Sequence, residues 1–176
     1  MAGSKPVIYV DTCVFIAMIT GEERKGDESQ QVAGFAIELD RREAIAVTSV
    51  ITQPEILDCT LTSQQRRVMG RLIKPPKVQV KDASQAIMNL AGEIRNYYQR
   101  EKQDGHSNLP TLELPDAIHL ATAIHYECPV MFTFDENDRE KGRPKRGLIP
   151  LSGMVAGRYP LAICKPYSDS TGLPLQ

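Results

Sequence analysis

Four acidic residues stand at junctions between apolar segments: Asp11 in VIYVDTCVFI, Glu55 in VTSVITQPEIL, Asp116 in LPDAIHLATAI and Asp135 in VMFTFDEND. Each has an ordinary structural explanation. Asp11 suits the N-cap of a following helix. Thr52-Gln53-Pro54-Glu55 fits a capping box, in which the glutamate reaches back to the cap's own N–H. Asp116, beside Pro115, suits the positive end of a helix dipole, and Asp135 suits a turn. Brought together they would do something else. Four shielded carboxylates repel one another, and their pKa values rise unless a cation joins them. A hard divalent ion such as Mg²⁺ removes the conflict, because it takes oxygen ligands and leaves positions open for a substrate phosphate. Metal-assisted phosphodiester chemistry therefore stands against four unrelated caps.

Which reading holds depends on the elements that carry these acids. Val7 to Val10, Ala44 to Ser49, Lys77 to Val80 and Pro129 to Phe134 read as short β-rich runs, and Gly147 to Leu151 as a fifth. Between them, helical spacing covers 12–20, 29–43, a stretch from about Thr52, 63–73, 83–102 and 115–126. Pro75-Pro76 stops the fourth of these. Short apolar strands alternating with helices predict βαβ units, a central parallel sheet and a three-layer α/β/α sandwich. In such sheets, sites form outside the carboxyl ends of the strands. Asp11 and Asp135 directly follow strands, so both belong on that rim, where the helices starting near Glu55 and Asp116 would also have to meet.

The chain has 176 residues, 41% hydrophobic and 24% charged, with a formal net charge of −1. That length suits one domain with a core of its own. The balanced charge gives no global attraction to polyanions, so a nucleic acid would have to be met by local patches. Cys13, Cys59, Cys128 and Cys164 are scattered without a C-x-x-C pair, which fits reduced thiols better than a disulfide frame or a zinc site. No run approaches the roughly 20 apolar residues of a membrane span. MAGSKPVIYV enters the first strand with no secretory segment, so a cytoplasmic location is expected. Residues 1–152 are expected to form the nuclease-like domain. Residues 153–176, rich in Pro, Gly and Ser around the apolar YPLAIC, form a C-terminal extension that could be a strand, a dimer arm or a tail.

In order and content, the four acid-bearing segments resemble the PIN-domain (PilT N-terminus) family, which includes the VapC-type toxins of bacterial toxin–antitoxin pairs. The similarity covers residues 6 to about 138. It implies a Rossmann-like parallel sheet and a Mg²⁺- or Mn²⁺-dependent endoribonuclease. The family's acidic positions fall on Asp11, Glu55, Asp116 and Asp135, and a hydroxyl position falls on Thr133. Asp11, Asp116 and Asp135 are then the expected metal ligands, with Glu55 as ligand or base toward a metal-activated water. In-line attack would leave a 5′-phosphate and a 3′-hydroxyl. Thr12 and Thr133 are expected to orient waters behind the ligands. The partners implied are an RNA substrate, a small antitoxin protein and a second copy of the chain, with no membrane. The segment from Cys59 to Lys81, the loop before Pro115 and the tail from 153 depart from a minimal toxin of this kind.

Two basic clusters are available to grip RNA backbone. One runs from Arg66 to Lys81 with no acid among its neighbours. The other, Arg139, Lys141, Arg143, Lys145 and Arg146, emerges beside Asp135 and is the stronger candidate. Charge runs are ordinarily just solvated faces, and that reading stays open for both. Tyr97 and Tyr98 cannot both face a base, because adjacent helical residues point apart. Histidine chemistry is a competing mechanism: His119 lies one turn after Asp116, but His106 and His125 have no paired spacing with it. G-x-S-x-G, G-x-G-x-x-G and P-loop signatures are absent. An aspartyl-nucleophile phosphatase would need an acid where Cys13 stands. A non-catalytic PIN-like module that binds RNA or protein is the remaining alternative.

Overall fold

The computed structural model describes residues 5–136, 139–140 and 143–168; for 139–140 and 143–144 it describes the backbone alone. Five parallel strands make the central sheet: β1 (Val7–Val10), β2 (Ile45–Ser49), β3 (Val78–Lys81), β4 (Val130–Phe132) and, at the far edge, Ala162–Cys164. A short antiparallel ribbon, β5 (Arg139–Glu140) with β6 (Arg143–Pro144), lies between β4 and that edge strand, which is therefore β7. The spatial order is β3-β2-β1-β4-β7. The chain thus winds outward from β1 to β3 and then returns to place β4 on the other side of β1. That reversal opens a crevice at the carboxyl ends of β1 and β4, the switch point at which ligands bind in open α/β sheets.

Helices α1 (Thr12–Thr20), α2 (Glu28–Arg41), α3 (Thr52–Asp58), α4 (Ser63–Leu72), α5 (Gln85–Gln103) and α6 (Leu114–His125) cover the sheet. One core cluster joins Ile87, Ala91 and Ile94 of α5 to Leu120 of α6 and to Tyr9 and Met131 of the sheet. The other joins Phe15 of α1 and Phe35 and Leu39 of α2 to Ile8, Val10 and Phe132. Alternate residues of β1 therefore serve opposite cores, as the two-residue period of a strand requires. Phe35 meets Phe132 edge-on, with ring centroids 5.0 Å apart.

Three sequence expectations need correcting. Residues 147–151 do not form the fifth strand; Ile149–Leu151 is a single 3₁₀ turn, and the strand comes instead from YPLAIC. The capping box is not at Thr52–Glu55, where α3 has no side-chain cap; it lies at Thr62 and Gln65, at the head of α4. The fourth strand is also shorter than Pro129–Phe134, covering only Val130–Phe132. Among the described residues no helix is long and apolar enough to cross a membrane.

Candidate active site

Asp11 ends β1 and caps α1. Its Oδ1 accepts the Thr12 N–H at 2.6 Å, so the structural role anticipated for it is filled. Its other oxygen does more than capping needs. Oδ2 accepts from the Thr133 hydroxyl at 2.6 Å and from the Cys13 thiol at 3.3 Å. Thr133 in turn accepts the Asp135 N–H at 3.0 Å, which ties the end of β4 to the end of β1. Only 8% of Asp11 is exposed.

Glu55 is freed by the capping box that does not form. The first turn of α3 buries Thr52 among Thr48 and Thr12, and this delivers the Glu55 carboxylate to the rim. Its Oε2 accepts a short hydrogen bond from the Thr12 hydroxyl and lies 2.9 Å from His119 Nε2. His119, from the middle of α6, is fully buried. Its Nε2 is also 3.5 Å from Asp11 Oδ1, and its Nδ1 is 2.6 Å from the Tyr9 hydroxyl. Burial alone would lower the imidazole pKa, but the charges of Asp11 and Glu55 outweigh it and raise the value. For Glu55, burial works to raise the pKa, and the bond and charge from His119, with the Thr12 bond, hold the carboxyl below its ordinary value. The Asp116-x-x-His119 spacing was the one sequence signal for this histidine.

Asp116 sits in the first turn of α6 and Asp135 just beyond β4. Burial pushes the Asp116 carboxyl up to about 7, with Asp135 and Asp11 adding to the rise and Lys145 opposing it. Its Oδ2 is buried without a hydrogen-bond partner. Burial also raises Asp135, again against Lys145. Lys145 Nζ lies 3.2 Å from Asp135 Oδ2 and 3.7 Å from Asp116 Oδ2. All four acids line one cleft of about 620 Å³, together with Thr12, Cys13 and Lys145.

The anticipated RNA-facing cluster is not a unit. Lys145 enters the cleft among the acids. Arg146 does not: it is buried, and its guanidinium donates to Pro110 O at 2.9 Å and to Ser107 Oγ at 3.0 Å, beneath the ring of Tyr98. An arginine committed to those acceptors has no face left for phosphate. Arg139 and Arg143 lie on the β5–β6 ribbon, and Lys141 lies outside the described residues. In the other cluster, Arg66 bonds Cys59 O, Lys77 pairs with Asp40 and Lys81 lies over Tyr126. Of the adjacent tyrosines, Tyr98 is core and Tyr97 is exposed.

The carboxylates of the cleft fit a hard divalent cation, which takes oxygen ligands. The compact donor group among the described residues is Asp11, Glu55 and His119, each with one ligand atom within 4.8 Å of the others, and there the His119 nitrogen is already paired with Glu55. On the opposite side, a buried Asp116 oxygen has no hydrogen bond of its own. An orphaned carboxylate oxygen beside two further carboxylates is costly unless a cation takes it.

A PIN domain profile matches residues 8–143. No curated protein matches the sequence. Among solved structures, the chain is similar to VapBC2 from Rickettsia felis bound to a promoter DNA fragment, with 14% identity over 77% of this chain and 90% of that one, at a TM-score of 0.50. It is also similar to Mycobacterium tuberculosis VapC20, a sarcin–ricin loop cleaving toxin, with 13% identity over 80% and 99% of the two chains and a TM-score of 0.53. A toxin–antitoxin complex from Klebsiella pneumoniae matches with 20% identity over 92% and 98%, also at 0.53. The chain belongs to the PIN-domain family.

Proposed function

We propose that this chain is a Mg²⁺- or Mn²⁺-dependent endoribonuclease and the toxin of a toxin–antitoxin pair. The observation that carries the reading is the convergence of Asp11, Glu55, Asp116 and Asp135 on one cleft at the switch point of the sheet. Membership of the PIN family and the fold shared with VapC toxins support it. Structured RNA is the substrate class, since a toxin of the same fold cleaves a sarcin–ricin loop. A small antitoxin is the proposed protein partner, the cytoplasm the proposed location, and a homodimer the proposed assembly.

Asp11, Asp116 and Asp135 would hold the divalent ion. When bound, it supplies Lewis acidity: it polarises the scissile phosphate, lowers the pKa of the attacking water and neutralises charge on the leaving oxygen. The protein's own groups do the rest. Glu55 is ionised at neutral pH and fixed through Oε2 by Thr12 and His119, which leaves Oε1 to orient the attacking water and take up its proton. His119 sets the position of Glu55 from behind and is itself set by Tyr9. Thr133 keeps Asp11 and the Asp135 backbone in register across β1 and β4. The adjacent parallel ends of β1 and β4 thus hold Asp11 and Asp135 in register, which is the preorganisation such a centre would need.

The test is cleavage of a panel of structured RNAs by purified protein. Cleavage should require Mg²⁺ or Mn²⁺, yield 5′-phosphate ends, and disappear in Asp11→Asn and Asp116→Asn variants that remain folded. Undiminished cleavage in both variants would refute the metal assignment. A native protein that binds RNA but cuts none under either metal would be the non-catalytic module. Expressing the chain alone should arrest growth, and co-expression of a neighbour-encoded antitoxin should restore it.

A further inference from the structure

Lys145 is placed by a built device, not by chance on a mobile surface. Its neighbour Arg146 is clamped by Pro110, Ser107 and Glu101. Three residues on, Leu148 N–H and Ile149 N–H both donate to the Asp135 carbonyl at 3.0 Å. The segment is therefore pinned immediately after the position that sends an ammonium into the cleft. That ammonium meets the two acids least served by the rest of the protein: Asp135 at 3.2 Å and Asp116, whose Oδ2 has no hydrogen bond, at 3.7 Å. Yet the side chain keeps 28% of its surface exposed, so it has somewhere to go.

A lysine is a single point charge on a flexible four-carbon stem. It can neutralise one unit of charge between two carboxylates, but it cannot coordinate both as a divalent ion does. A doubly charged ion seated on the same oxygens would repel an ammonium a few ångström away. The ammonium would then be left beside the ion, where a phosphate with unneutralised oxygens would arrive.

We infer that Lys145 is an exchangeable counter-ion: it holds Asp116 and Asp135 while the cleft lacks a divalent cation, and turns to a substrate phosphate once the cation enters. The inference rests on the metal-nuclease reading above. An ordinary stabilising ion pair would behave differently, since its loss would weaken the fold without favouring the metal.

The experiment is Mn²⁺ titration calorimetry on the full-length chain, comparing the native protein with Lys145→Met, which keeps the aliphatic stem. Lys145→Gln is the second variant, in case methionine disturbs folding, and Lys145→Arg retains the charge. Mn²⁺ should bind roughly tenfold tighter to the Met or Gln variant and about as in the native protein to the Arg variant. In Mn²⁺-saturated protein, a 5′-phosphorylated RNA hairpin, followed by fluorescence anisotropy, should bind the Met variant roughly tenfold more weakly. The opposite signs of these two changes identify an exchanged charge. Equal or weaker Mn²⁺ binding in the neutral variants would overturn the inference, as would tighter Mn²⁺ binding with unchanged hairpin affinity. If neither native nor variant protein bound Mn²⁺, the metal reading itself would fall, and the inference with it.

Discussion

The two sides of the acidic cleft are built differently. On the side of Asp11 and Glu55, nearly every polar atom is spoken for: Thr12, Thr133, Cys13 and His119 bond the carboxylates, and Tyr9 bonds the histidine from behind. On the side of Asp116 and Asp135, one lysine serves two acids, and a buried oxygen has no hydrogen bond. The pKa directions follow the same division. Glu55 is held down by its partners, whereas burial drives Asp116 up to about 7. The first side is assembled in advance; the second has only the Lys145 ammonium to offset its charge. Rigidity in one half and unmet charge in the other is how a site can be both well positioned and strongly cation-seeking.

Asp116→Asn breaks the comparison most severely. RNA cleavage should fall by at least about a thousandfold, because the proposed ligand and its charge are lost together. The same substitution removes a buried, poorly compensated charge, so the metal-free protein should become more stable at pH 8, on the order of 2 kcal/mol. Cleavage assays and thermal unfolding read the two effects, and a destabilised variant would contradict the electrostatic account of this side.

Glu55→Gln comes next. Loss of the proposed acceptor of the water's proton should cost about a hundredfold or more in cleavage rate. It should leave Mn²⁺ affinity within a few-fold in calorimetry, since the other three acids remain. A large loss of Mn²⁺ affinity would instead make Glu55 a ligand.

On the assembled side, His119→Leu should destabilise the fold by about 1–3 kcal/mol in denaturant unfolding, because the Tyr9 hydroxyl and Glu55 lose a buried partner. Thr133→Val should cost about 1 kcal/mol and lower Mn²⁺ affinity modestly, as Asp11 Oδ2 loses its shortest bond.

A further effect is one of pH. The Asp116 pKa in the folded protein, about 7, lies above its ordinary 3.8. The stability this group contributes is therefore fully present below about pH 3.8 and is lost as pH rises through about 7. Metal-free native protein should lose stability over that interval relative to Asp116→Asn, measured by unfolding midpoints across pH. Added Mn²⁺ should reverse the trend above pH 7, because the ionised carboxyl is the form that binds.

Much of the fold was legible because parallel strands buried on both faces read as continuous apolar runs, as in VIYV and AIAVTS. The edge strand was harder to see. Ala162–Cys164 is only three residues long and lies among prolines and glycines, while GLIPL, with three large aliphatic residues, forms a turn. The acids were legible from their place after strands and at helix starts. Their division into two unlike sides was not, since it depends on which way α3 and α6 turn their first residues inward. Local patterns misled at Thr52–Glu55, where tertiary bonds from Thr48 and Thr12 outcompeted a capping box. Lys145 and Arg146 show the limit most plainly. Adjacent and alike in charge, they differ in that one pairs with Asp116 and Asp135 and the other is locked against Pro110 and Tyr98.

The central claim is best tested by anomalous diffraction from crystals soaked in Mn²⁺ near pH 8. The expected result is a peak in the cleft at about 2.1 Å from carboxylate oxygens of Asp116 and at least one other of the four acids, with the Lys145 ammonium displaced. A cleft free of Mn²⁺ at saturating concentration, with Lys145 still bridging Asp116 and Asp135, would contradict it.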